Sequence, residues 1–360
     1  KAWESKNAKN AAKAGGVSLM ALSLAACGGS STTVSGDGGD AGGSSDLTVN
    51  ADTTSFSGTL SAARDYTPGG NDLVNTLQSD DTITGTGTAD VVNVTFGNNN
   101  DAGAATVAPT MTGVETINFN NVSSNGAVDT LDMSNVTGTT AVNVTSLSDD
   151  TVIRGLDDID VLLKASNVSD EAADVAFEFD DTVVAGASDA VSLTVDKFAG
   201  NDVNLGSGAT NAAAGAGIET LNITASGSAS TIANLGSTGV TSITIDADAD
   251  LTISAMSATG VTSINASESS AGVTIAAGAN AGNELTYTGG TGADNLQLTA
   301  EFDGLDSLSG GAGTADELRI TLAANDTSVG ALDASSAAVV TGFESIDLRV
   351  TAGGTATTIG

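Results

Sequence analysis

A chain of 360 residues with 44 acidic against 10 basic side chains, and a formal net charge of −34, has no surface suited to nucleic acid, whose phosphates need Lys and Arg. It contains no histidine, which removes a Ser-His-Asp triad, an H-E-x-x-H zinc site and a Cys-His pair from consideration. Hydrophobic residues at 40% argue against a wholly disordered acidic chain, and 45 glycines with only 3% aromatics predict a thin core of small stacked side chains.

The first segment, residues 1–27, carries Lys1, Lys6, Lys9 and Lys13 ahead of an apolar run from Val17 to Ala26. A positive stretch, a short apolar stretch and small residues read as a secretory signal, and the apolar run is too short for a stable spanning helix. Leu24-Ala25-Ala26-Cys27 is similar to a bacterial lipobox, with Cys27, the single cysteine, as the lipidated residue. The alternative is an apolar N-terminal helix that packs or anchors without lipid. Residues 28–55 are rich in Gly, Ser, Thr and Asp and read as a flexible linker. From Cys27 onward, six basic residues face all of the acids but Glu4, so this part of the chain requires counter-cations to offset its self-repulsion.

Strand signals start near Phe56 and continue to the last residue, divided here into a β-repeat region (56–200) and a β-solenoid (201–360). Thr82–Thr88 alternates Thr with other residues, and Val91–Phe96 alternates Val with polar residues. A phrase then recurs: Gly113-Val114-Glu115-Thr116-Ile117, Gly217-Ile218-Glu219-Thr220-Leu221, Gly239-Val240-Thr241-Ser242-Ile243, Gly260-Val261-Thr262-Ser263-Ile264 and Gly342-Phe343-Glu344-Ser345-Ile346. Its two short separations predict a coil of about 21 residues, with the longer gaps spanning about five and four such units. Thr139–Val144 reads as a drifted copy. Helical spacing is confined to Asp170–Phe177 and Ala209–Ala216. The predicted fold is all-β, a solenoid-like β-helix or β-roll with about 21-residue coils. β-Sandwich-like portions are the alternative, since stacked small sandwiches share this patterning.

A second motif lies in the C-terminal part. Gly289-Gly290-Thr291-Gly292-Ala293-Asp294-Asn295-Leu296-Gln297 reads G-G-x-G-x-D-x-(apolar)-x, the nonapeptide of Ca²⁺-binding β-rolls. Glycine permits the tight turn, Asp supplies a hard carboxylate oxygen, and Leu296 points to the core. Gly310-Gly311-Ala312-Gly313-Thr314-Ala315-Asp316 repeats the pattern with one residue inserted. Gly85-Thr86-Gly87-Thr88-Ala89-Asp90 lacks the double glycine, and shorter echoes end at Asp72 and Asp202. No two of these sit nine or eighteen residues apart, so a long tandem β-roll is not predicted.

Together, the G-[VIF]-[ET]-[ST]-[IL] phrases, the nonapeptide, the absence of His and the acidic Thr/Ala/Gly texture resemble bacterial surface-layer proteins of Gram-negative prosthecate bacteria and the related RTX-like β-strand-repeat surface proteins. The resemblance covers most of residues 55–360. It implies a secreted, Ca²⁺-dependent protein that self-assembles into a lattice on the cell surface or outer membrane. It also implies Gly290, Gly292 and Asp294 as Ca²⁺ ligands, with Gly311, Gly313 and Asp316 as further candidates and Asp90, Asp202 and Asp72 as the outlying ones.

An enzyme is not predicted. The densest carboxylates, Asp180-Asp181 and Asp246-x-Asp248-x-Asp250, read as a solvated or cation-bridged face rather than a glycosidase pair. The Thr-x-Thr row at 82–88 suits a water-ordering, ice-binding ladder in form, but it occurs once rather than once per coil and reads as an ordinary Thr-rich strand. The main expectation is therefore a structural homo-oligomeric surface protein, an S-layer or filament subunit stabilised by Ca²⁺. The alternatives are a monomeric adhesin or lipid-anchored binding module, and a polysaccharide-acting β-helix.

Overall fold

The coils wind around a continuous core of inward-pointing side chains, mostly aliphatic, supplied by every face. The structure, a computed structural model, describes residues 47–66, 73–97, 104–123, 126–207, 217–237, 239–258, 260–277, 284–299, 302, 305–322 and 338–350. Cys27 and Asp72, and the Ala209–Ala216 stretch, lie outside the described residues. Every regular element among the described residues is a β-strand. The strands stack in parallel, coil upon coil, and form a β-solenoid. The one antiparallel pairing among the described residues joins Arg64–Tyr66 to Leu73–Asn75.

Two faces run along the stack. On the front face, a single rung column passes through Thr59, Val91, Thr116, Ala141 and Leu162. It continues through Ser192, Asn222, Thr244, Asn265, Thr288, Ser309 and Thr341. The back face stacks strands from Thr106–Val107 through Thr151–Leu156 and Leu251–Ile253 to Ser345–Val350. A third, short face occurs only at the start, in Thr53–Phe56, Thr82–Gly85, Thr110–Thr112 and Val136–Thr137, so the early coils are three-sided and the later ones two-sided. Ala190–Ser207 is one strand that turns the corner between front and back, with Lys197 at φ 54° and Phe198 fully buried at the bend.

Alternation drives this arrangement. In Val91–Phe96 and Thr116–Asn121 every second residue is buried, because successive side chains on a strand point to opposite faces. Ile117, Val142, Leu163, Leu193, Ile223 and Ile245 stack inward along the front face, each at most 1% exposed. Each such side chain contributes about 1.5–3 kcal/mol of burial. Phe96 stacks on Phe119 and Tyr287 on Phe343, with centroids 5.9 and 6.3 Å apart. The core cluster runs unbroken from Leu47 to Ile320, across the boundary expected at residue 200.

The coil length departs from a uniform repeat. Successive front-face rungs from Asn222 to Ser309 are 21–23 residues apart, as the spacing predicts. Earlier rungs vary from 21 residues, Ala141 to Leu162, through 25 and 30 to 32 residues, Thr59 to Val91, as residues are added to the loops between faces. The gap between Gly113 and Gly217 therefore holds four coils rather than five. Thr139–Val144 is a front-face rung, as expected, with Val142 over Ile117. The phrase at Gly342 is different. Its strand Ser345–Val350 lies on the back face, beside Glu317–Leu322, whereas the other copies lead into front strands. Asp170–Phe177 forms no helix. Its end belongs to the strand Val175–Phe179, whose alternating Val175, Phe177 and Phe179 are all buried.

Candidate functional site

Carboxylates buried at the coil corners are the chemical peculiarity of this solenoid. Asp81, Asp90, Asp129, Asp294 and Asp316 are at most 1% exposed. The ion pairs among the described residues join Arg154 to Glu178, Lys164 to Asp196, Arg319 to Glu317 and Asp347, and Arg349 to Asp347. None reaches those five buried aspartates. Backbone N–H groups take the place of cations at Asp81, Asp90, Asp294 and Asp316, while the side chains of Asn121 and Ser123 donate to Asp129.

The nonapeptide corner shows how. The N–H of Gly290 donates to Asp294 Oδ2 at 2.7 Å, and the N–H of Val273, one coil back, donates to Oδ1 at 2.9 Å. The N–H of Asp294 in turn donates to Asp316 Oδ1 at 2.8 Å, and the N–H of Asp316 donates to Glu344 Oε2 at 2.8 Å. Four stacked coils are thus linked through three acidic side chains. The glycines make the contact possible. A Cβ on Gly292 would lie 2.2 Å from the carbonyl oxygen of Ala271, and one on Gly313 would lie 2.2 Å from that of Gly292. Gly311 adopts φ 100°, a conformation natural to glycine.

The same arrangement occurs twice more. The N–H groups of Gly58 and Gly87 both donate to Asp90 at 2.6 Å, and the N–H of Asp90 donates to Glu115 Oε2 at 2.6 Å. The N–H of Gly186 donates to Asp189 at 2.9 Å, and that of Asp189 donates to Glu219 Oε2 at 2.8 Å. In every case the glutamate is the third residue of the recurring phrase. The phrase and the glycine-aspartate turn are therefore two halves of one corner, stacked one coil apart.

The structure brings Asp294, Gly290 and Gly292 together with Asp316, Gly311 and Gly313, and leaves Asp90 in a separate early corner. Asp202 is not at a corner of this kind. It sits half-buried on the back part of Ala190–Ser207, where its Oδ2 accepts from Asn234 Nδ2 at 3.2 Å. Glu344, Glu115, Glu219, Asp189 and Tyr287 belong to these corners, although their motifs alone do not mark them as partners. The signal that finds them is a Gly-x-x-Asp followed by the phrase's Glu after 25–30 residues.

Burial raises Asp294 and Asp316 above the ordinary carboxylate range, and neighbouring Asp316 and Glu344 push in the same direction, while the backbone donors oppose them. The Tyr287 hydroxyl is driven well above its ordinary range, first by burial and then by Asp294 and Asp316. Three polar atoms here are buried without a partner: Asp316 Oδ2, Tyr287 Oη and Asn295 Oδ1. No group of three or more His, Cys, Asp or Glu side chains converges among the described residues. Asp316 Oδ2 is the open acceptor of this corner, on a carboxylate joined to Asp294 and Glu344 only through backbone N–H groups.

The chain matches no protein-family model, and no curated protein is similar to it in sequence.

Proposed function

We propose that this chain is a structural, self-assembling extracellular surface protein, an S-layer or filament subunit, stabilised by Ca²⁺ and not an enzyme. The observation that carries the reading is the ladder Asp294–Asp316–Glu344, two buried aspartates stacked beside an exposed glutamate, without a basic partner and with Asp316 Oδ2 unpartnered. A carboxylate in that position is costly unless a proton or a cation joins it. A chain of net charge −34 meets the same need over its whole surface, where bridging cations neutralise copies that otherwise repel. Asp294, Asp316 and Glu344 would hold the ion, which would supply charge neutralisation and order to the turns at 289–294 and 310–316. The resemblance to surface-layer proteins supports the cell-surface location, and the solenoid supplies long, regular faces for lateral contact. The monomeric adhesin and the polysaccharide-acting β-helix are the competing readings.

The test is thermal unfolding by circular dichroism with light scattering in the same cell, in Ca²⁺ and in chelator. The reading expects a higher melting temperature and large particles in Ca²⁺ only. Particles of monomer size in both conditions, with equal melting temperatures, would overturn it.

A further inference from the structure

The two ends of the stack differ. At the first front strand, Thr59–Ala62, Leu60 and Ala62 are buried, and Leu47, itself buried, donates its N–H to the Ser61 carbonyl at 3.3 Å. At the last back strand, Ser345–Val350, the only pairing among the described residues is to Glu317–Leu322 on one side. Its inward positions, Ile346 and Leu348, stack on Leu318 and Ile320. Leu318 and Ile320 are at most 2% exposed, whereas Ile346 is 58% exposed and Leu348 only partly buried. Val340 and Phe343 of the same coil are likewise partly buried.

Three properties fit this edge to a copy of itself. First, its backbone is poised to pair. The N–H of Ser345 donates to the Asp316 carbonyl at 3.1 Å, and residues of a parallel strand alternate in the side to which they bond, so Ile346 and Leu348 turn their N–H and C=O groups to the open side. Second, it lacks the devices that blunt an edge, namely an inward charge, a proline or a bulge. Its register with Glu317–Leu322 runs without a shift. Third, it is electrically balanced. The charged side chains of the last two back strands are Glu317, Arg319, Asp347 and Arg349, two acids and two bases joined in one chain of ion pairs at 3.0, 3.2 and 2.6 Å. Copies of a chain of net charge −34 repel one another over most of their surface, but meet here without net repulsion.

We propose that Ser345–Val350 docks antiparallel on the same strand of a second copy, joining two solenoids tail to tail about a two-fold axis through Leu348. With Leu348 opposite its counterpart, antiparallel pairing sets each Asp347 opposite the partner's Arg349 on the outer face. Opposite charges directly across two strands attract. On the inner face the exposed Ile346 and Leu348 gain an apolar cover, and the core of one copy continues into the next. The contact is the same patch on both copies and closes at two. Head-to-tail growth is disfavoured, because Leu47 already lies against the first front strand. The contact is one element of the self-assembly proposed above and rests on that reading for its occupant, but it needs no Ca²⁺.

The experiment measures the mass of the full chain by sedimentation in chelator, and amide exchange at Ile346 and Leu348 over a dilution series. It compares the unsubstituted protein with Ile346→Lys, Asp347→Arg and Arg349→Asp at the edge, and with Leu162→Lys, at an exposed apolar residue of a middle coil, as a control. Circular dichroism establishes that each variant keeps its β signal. The expected result is a dimer for the unsubstituted chain and for Leu162→Lys, and a monomer for each edge variant. Mixing Asp347→Arg with Arg349→Asp sets two guanidinium groups against two carboxylates and should restore the dimer, which a merely damaged fold cannot do. Exchange at Ile346 and Leu348 should quicken as dilution separates the copies. A monomeric unsubstituted chain overturns the proposal, as does a dimer that survives all three edge variants or a mixture that stays monomeric. Amides protected at every dilution also overturn it and assign the edge to a further segment of the same chain. A chain that is monomeric in chelator yet forms large particles in Ca²⁺ overturns this contact and supports the surface-assembly reading. A dimer in both conditions, with nothing larger, supports this contact and counts against that reading.

Discussion

The N–H of Asp90 donates to the Glu115 carboxylate at 2.6 Å, from one coil to the next. The carbonyl of the same Asp90 accepts the N–H of Thr116 at 3.0 Å. A glycine-aspartate turn is thereby locked to the glutamate phrase above it, and the identical lock joins Asp189 to Glu219 and Asp316 to Glu344. The acids at the corners are structural hydrogen-bonding groups before they are anything else.

Removing the acceptor should therefore loosen the stack. Glu115→Ala leaves the buried N–H of Asp90 without its partner and is expected to cost about 1–3 kcal/mol. Glu115→Gln keeps an oxygen at the same place and should cost less. Denaturant titration of both variants checks the order, and equal losses would show that the hydrogen bond contributes nothing.

Glycine positions should separate by their surroundings. Gly58 and Gly311 share φ 100°, but a Cβ on Gly58 meets nothing within 4 Å, whereas one on Gly311 lies 2.3 Å from the carbonyl oxygen of Gly290. Gly58→Ala is expected to cost about 1–2 kcal/mol, the left-handed strain alone. Gly311→Ala adds a backbone clash and should reach the severe end for single substitutions, above about 4 kcal/mol. Melting temperatures of the two variants provide the comparison.

Acid should stabilise the metal-free protein. Burial raises Asp81, Asp150, Asp294 and Asp316 above 3.8 in the folded chain. The folded state then binds protons more tightly than the unfolded chain, so stability rises as pH falls through these raised values and levels off near 3.8. Asp347, held low by Arg349 and Arg319, works in the opposite direction at the exposed surface. Denaturant midpoints in chelator across this range are the measurement, and a steady fall with acid contradicts the expectation.

The side-chain ladder on the front face offers a smaller effect. Asn118 Nδ2 donates to Asn93 Oδ1 at 2.7 Å, and Asn143 Nδ2 donates to Asn118 Oδ1 at 2.8 Å. Asn118→Ala breaks both and should cost about 1–3 kcal/mol. Asn118→Asp should cost more, since a carboxylate cannot donate to Asn93 and adds charge to a crowded acidic chain. Unfolding midpoints of the two variants test that ranking.

The sequence by itself determined the class of fold and the residues of the core. Alternating runs such as Val91–Phe96 and the recurring phrase state which side chains point inward, because a strand has a fixed period of two. It also fixed the coil length wherever no loop intervened, from Asn222 to Ser309. What only the tertiary structure decided is which coil lies on which. Loops of variable length shift the numbering between rungs without moving the rungs, so Asp90 meets Glu115 after 25 residues and Asp189 meets Glu219 after 30. The pairing of the two motifs into one corner and the displacement of the Gly342 phrase to the back face are both products of that stacking. Each coil supplies one element of them, and hydrogen-bond register between coils, which no local pattern encodes, brings the elements together.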